Sequence, residues 1–206
     1  MKNNLNTLVL LASMNLGLIL SSPVQAQQSS PCSNENQAQP SQDDREITNA
    51  EYGLRFEIPT NYRAELERSA DSPQLNIFVR NPTDVEYYRC AEEHRMVGYG
   101  HDVSDVVISI RPLPDNIRTT QDLRQNVLFA SGNLDITDFG AMTVGGQDAV
   151  VYTEQSSYPM RYRYVKLIHP NGQNLISIYA GDYGEVIDPI DLDVMETIVS
   201  SFQIEP

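Results

Sequence analysis

Two glycine-centred turns constrain the fold of this chain more than any other feature. From Met142 to Thr153, Gly145-Gly146 separates two strand-like runs, and from Tyr162 to Tyr179, Pro170-Asn171-Gly172-Gln173 does the same. Gly-Gly and Asn-Gly supply the positive φ angles that tight hairpin turns require, so each pair of runs is expected to be an antiparallel hairpin.

Other strands are legible upstream. Leu54-Arg55-Phe56-Glu57-Ile58 alternates apolar and charged residues, the period of a half-buried strand, and Pro59 ends its ladder. Asn49 to Gly53 reads as a turn out of a short preceding strand. Gln74 to Val79 is a further strand candidate. Asp105 to Arg111 contains the run Val106-Val107-Ile108, which suits a strand covered on both faces.

Two segments read as helices. Thr119-Thr120 offers a cap before Asp122, after which Leu123, Val127 and Leu128 fall on one face and Gly132 stops the run. Near the C-terminus Asp188 caps, Pro189 takes the first helical position, and Leu192, Met195, Ile198, Val199 and Phe202 form an apolar stripe. The expected fold class is α+β, an antiparallel β-sheet of about five to seven strands flanked by helices.

The N-terminus carries an address. Lys2, an apolar run from Leu8 to Leu20, and Val24-Gln25-Ala26 form a secretory signal peptide over residues 1–26, with the mature chain expected to begin at Gln27. The apolar run is interrupted by Asn15 and is shorter than the roughly 20 residues that cross a bilayer, so no integral membrane segment is expected in the mature chain. Residues 27–45 are Gln, Ser, Asn, Asp and Pro with little to bury, and read as a disordered tether. Residues 46–206 are then one domain, large enough to fold alone. The expected location is extracytoplasmic: periplasm, thylakoid lumen or the exterior.

Charge narrows the partners. The chain has 14 basic and 28 acidic residues, and losing the signal peptide removes Lys2, leaving 13 − 28 = −15 and Lys166 as the one lysine. Such a surface repels polyanions, which argues against nucleic acid. Cys32 and Cys90, the two cysteines, would reside in an oxidising compartment and are expected to bridge; two unpaired thiols are the competing reading.

The order Tyr52-Gly53-Leu54-Arg55-Phe56-Glu57-Ile58-Pro59 with Tyr62, a helix in mid-domain, Val144-Gly145-Gly146 with Ala149, and a terminal helix running into Ser200-Ser201-Phe202 resembles the PsbP-like superfamily. The resemblance spans about Ala50 to Gln203. It departs from the family at Tyr62, where many relatives have Trp, and in the long segment Asn81 to Gly100. What it implies is a non-enzymatic α/β/α sandwich, in some members an extrinsic subunit or assembly factor of photosystem II on the lumenal side.

Three constellations bear on chemistry. Cys90, Glu92, Glu93, His94, His101 and Asp102 make the densest set of potential metal ligands, with Cys90 and His94 four apart if residues 84–96 are helical. A bridged Cys90 cannot ligate, however, and no metal motif supports the set, so neither metal nor cofactor is expected. No Gly-x-Ser-x-Gly frame surrounds Ser156-Ser157 or His169, and no catalytic residue is assigned. Arg161, Tyr162, Arg163, Tyr164 and Lys166 concentrate residue types enriched at interface cores, and are the expected surface for a protein partner. The leading reading is a secreted or lumenal protein-binding module, an accessory or assembly factor. The rival is an extracytoplasmic metal-dependent or hydrolytic enzyme with its site near His94 and His101.

Overall fold

The alternation at Leu54 to Ile58 forms β2 (Leu54–Pro59), paired antiparallel with β1 (Asp44–Asn49) across the expected turn. The structure is a computed structural model and describes residues 32–34, 37–68, 72–96, 105–130, 134–155, 160–183 and 186–205. The signal segment 1–26 lies outside them. The remaining strands are β3 (Arg63–Arg68), β4 (Leu75–Arg80), β5 (Val106–Pro112), β6 (Asp135–Val144), β7 (Gln147–Gln155), β8 (Met160–Ile168), β9 (Asn174–Tyr183) and β10 (Gln203–Ile204). Among the described residues, three helices complete the order: α1 (Pro82–Glu93), α2 (Thr120–Ala130) and α3 (Pro189–Ser201).

Seven strands form one antiparallel sheet in the order β3-β4-β5-β9-β8-β7-β6, and β1-β2-β10 form a separate three-stranded sheet. Both glycine hairpins are present, as β6-β7 and β8-β9. The α+β class holds, with the small second sheet as an addition that the sequence did not suggest.

Strand alternation gives the large sheet two working faces. On one, Leu75, Ile77, Val79, Val106, Ile108, Ile110, Val165, Leu167, Ile176 and Ile178 meet Leu54, Phe56 and Ile58 of β2 and Val194, Met195, Ile198 and Phe202 of the α3 region. Phe56 and Phe202 stack at 5.9 Å. On the other, Leu123 and Val127 of α2 pack on Val150, Tyr152 and Leu175. Leu128, expected on that buried stripe, is 51% exposed: it follows Val127 directly, and a one-residue step turns the helix away from the sheet.

Both expected helix starts are capped by side chains. Asp188 Oδ1 accepts from the Ile190 N–H at 2.8 Å. At α2, Asp122 Oδ2 accepts from the Thr119 N–H while Thr119 Oγ1 accepts from the Asp122 N–H, a reciprocal box that satisfies otherwise orphaned donors. The long segment after Asn81 is α1, capped by Asn81, whose side chain accepts from the Thr83 N–H.

The described part of the stretch expected as a tether is fastened to the domain. Cys32 and Cys90 are disulfide-bonded with 5.7 Å between their Cα atoms. Asn81 Nδ2 donates to the Ala38 carbonyl at 2.8 Å, Asn61 Oδ1 accepts from the Ser41 N–H, and β1 already begins at Asp44. The described part of the strap is held by polar side chains and one covalent bond, which composition does not reveal.

Candidate functional site

The five residues expected to form one surface all lie on β8, and the two-residue period of a strand divides them. Arg161 and Arg163 share the α3 face with Val165 and Leu167. Tyr162, Tyr164 and Lys166 face α2, as their cross-strand partners Gly181, Tyr179 and Ser177 do. They therefore do not make a single contact surface.

On the α3 face, Arg161 and Arg163 line a cleft of about 490 Å³ with Asp138, Thr153, Val186, Ile187 and Leu192. Arg163 Nη1 donates to Thr153 Oγ1 at 2.9 Å, and the Thr153 hydroxyl donates to Asp138 Oδ2 at 3.2 Å. The Arg163 to Asp138 separation is 3.9 Å, a loose pair, and the Arg163 side chain is 30% exposed. Asp138 sits at φ +49°, where β6 slips register against β7 between Thr137 and Gly140. Such a bulge re-aims a side chain, here onto the cleft rim. Val186, 71% exposed, forms an apolar lip. The cleft combines cationic donors, a hydroxyl and an apolar wall in a chain of net charge −14.

The α2 face carries a row of rings. Tyr152 and Tyr164 stack at 5.1 Å, and Tyr179 lies 5.2 Å from Tyr164 and 6.2 Å from Tyr162. The Tyr162 ring lies over Gly181, where an added Cβ would meet Cδ1 at 2.0 Å; only glycine permits this placement. Lys166 Nζ stands 4.6 Å from the Tyr164 ring centroid and 5.2 Å from that of Tyr152. Burial lowers the Lys166 ammonium to about 8, Arg111 adds repulsion, and Glu154 opposes the shift. Burial also raises the Tyr152 and Tyr164 hydroxyls far above their ordinary range.

The metal candidates divide differently. Cys90 and His94 are brought together with Cys32, but both sulfur atoms are committed to the disulfide and offer no thiolate. His94 follows the end of α1 and is exposed, and Glu93 is bonded to Arg89. His101 and Asp102 lie outside the described residues. His169 is buried in a structural role: Nδ1 accepts from the Asn171 N–H, leaving Nε2 to donate to the Tyr52 carbonyl at 2.8 Å.

Sequence reading missed a polar cluster under α1. Asp84 is fully buried, with Oδ1 accepting from Asn34 Nδ2 at 3.3 Å and Oδ2 without a hydrogen-bond partner among the described residues. Burial pushes its carboxyl up to about 7, with the Asn34 hydrogen bond opposing and Asp105 adding to the rise. Asp105, bonded to Arg80 at 3.2 Å, is pushed up to about 6, chiefly by burial. Arg80 is sandwiched between Phe78 and Tyr88 at 5.0 and 4.8 Å. Asp84 occupies a helix first turn, where an exposed acid is ordinary, so nothing local marks it as buried.

No family model and no curated protein sequence matches this chain. Among solved structures, the chain is similar to cyanobacterial PsbP (CyanoP) from Synechocystis sp. PCC 6803, at 14% identity over 85% of this chain and 98% of that one, with a TM-score of 0.45. It is also similar to LpqN, involved in cell envelope biogenesis of Mycobacterium tuberculosis, at 16% identity over 80% of this chain and 91% of that one, with a TM-score of 0.49. These are likenesses in the course of the chain.

Proposed function

We propose that this chain is an extracytoplasmic, non-enzymatic module that binds a protein partner through the cleft at Arg161 and Arg163, as an accessory or assembly factor. The observation that carries this reading is the pairing of two same-face guanidinium groups with an apolar wall on an otherwise acidic molecule. Planar guanidinium forks recognise carboxylates with defined geometry, and neighbouring apolar surface supplies the area that a charge alone does not. The Cys32–Cys90 bridge fits an oxidising compartment.

The test is capture from the extracytoplasmic fraction of the source organism with wild-type chain, the Arg161→Ala/Arg163→Ala variant and the His94→Ala and His101→Ala variants as baits. The reading expects the arginine variant to lose a partner that both histidine variants retain. Capture unaffected by the arginine changes, or abolished by the histidine changes, would return the rival enzymatic reading.

A further inference from the structure

Strand register places four donors together on the α2 face. Ser109 of β5 is opposite Ser177 of β9, which is opposite Lys166 of β8, so their side chains form one row across three strands. Arg111, two residues beyond Ser109, projects to the same face, close enough for its charge to lower Lys166. Both serines are 6% exposed.

Among the described residues, these groups make few hydrogen bonds or ion pairs. Among the described residues, Lys166 and Arg111 form no ion pair, although the molecule is rich in carboxylates. The ammonium of Lys166 lies over the Tyr152 and Tyr164 rings. Glu154, the acid whose charge reaches it, is separated from it by the Tyr152 and Tyr164 row. Ser109 Oγ accepts from Gln74 Nε2 at 3.1 Å, which leaves its own hydroxyl proton to donate outward. The charge of the exposed Arg111 reaches the half-buried Lys166 on the same face, and an anion between the two would relieve both their repulsion and the lost hydration of Lys166.

We infer that Lys166, Arg111, Ser177 and Ser109 form a binding site for a phosphate group, either the free ion or the head of a small phosphate ester. Two cations match a dianion, and the hydroxyls supply neutral donors to its remaining oxygens. The tyrosine row borders the site, so an ester's body would rest against rings. This site lies across the sheet from the arginine cleft, and neither proposal depends on the other.

The chain has no tryptophan, so its intrinsic fluorescence comes from its 11 tyrosines, among them Tyr152 and Tyr164 beside Lys166. Full mature chain would be titrated at pH 7 and constant ionic strength with inorganic phosphate, phenyl phosphate, acetate and chloride, scoring tyrosine emission, or amide NMR shifts where the ester absorbs. Saturable binding of inorganic phosphate, phenyl phosphate or both is expected, and which one saturates identifies the source. Lys166→Met and Arg111→Gln should each weaken it tenfold or more; Arg111 is exposed, so its variant tests the site even if Lys166→Met unfolds. Arg161→Ala/Arg163→Ala should bind phosphate as wild type does. The inference is overturned by absence of saturation, equal responses to acetate or chloride, or unchanged affinity in Arg111→Gln. Loss of phosphate binding in the Arg161→Ala/Arg163→Ala variant alone would also overturn it.

Discussion

Replacing Asp84 by Asn should make the protein more stable above neutral pH and remove part of its pH dependence. The folded carboxyl titrates near 7 against a reference of 3.8, because it is buried and one of its oxygens is unpartnered among the described residues. Below about pH 4 the group is protonated in both states and has no effect. Between about 4 and 7 the unfolded chain releases a proton that the folded chain retains, so stability falls as pH rises, by about 1.36 kcal/mol per unit. The full loss is at most about 4 kcal/mol and is complete above pH 7. From pH 5 to pH 8 the wild type loses about 3 kcal/mol that Asp84→Asn does not, since only the two units between 5 and 7 remain. Asp105 contributes repulsion to this shift, so its own rise is not added to it. Urea unfolding of both proteins at pH 5, 6, 7 and 8, with the disulfide intact, measures the difference directly. A stability difference between the two that stays constant across that range would refute the reasoning, because it would show Asp84 already ionised in the folded state.

The Cys32→Ser/Cys90→Ser variant should lose about 4 kcal/mol by urea unfolding, the loop-closure value for a separation of 58 residues. Limited proteolysis should then cut first in the freed strap N-terminal to β1, leaving the sheet intact. Gly181→Ala should cost about 1–3 kcal/mol by forcing the Tyr162 ring off the sheet. The pair Gly181→Ala/Tyr162→Ala should be less destabilised than the sum of the two single variants; strict additivity would show that the ring is not what excludes the side chain.

Much of the scaffold was legible in the sequence because local chemistry dictates it. Gly145-Gly146 and Asn171-Gly172 permit little but tight hairpins, and Asp188-Pro189 marks a helix start through a cap and a fixed φ. Features set by distant contacts were not legible. β3 has charged residues at four of its six positions and pairs as a strand only because β4 offers it an edge. The strap looks disordered by composition, yet Asn61 and Asn81 catch its backbone. The site divides along the same line. Arg161 and Arg163 stand two apart on a strand and so share a face, as the sequence implies. That Tyr162, Tyr164 and Lys166 face away from them follows from the same period, and an expectation of one five-residue surface overlooks it. Arg111 ends the run Val106 to Ile110 and gives no local sign of sharing a face with Lys166, because that depends on β9 lying between their strands.

A photo-reactive amino acid placed at Val186, on the lip of the arginine cleft, and separately at Phe129, 83% exposed on α2 across the sheet, tests the central claim most directly. Irradiation in the presence of the extracytoplasmic fraction should give a discrete protein adduct from position 186 and none from position 129, and Arg161→Ala/Arg163→Ala should abolish it. An adduct from position 129 alone, or one at position 186 that persists without the two arginines, would contradict the assignment of the cleft as the partner-binding surface.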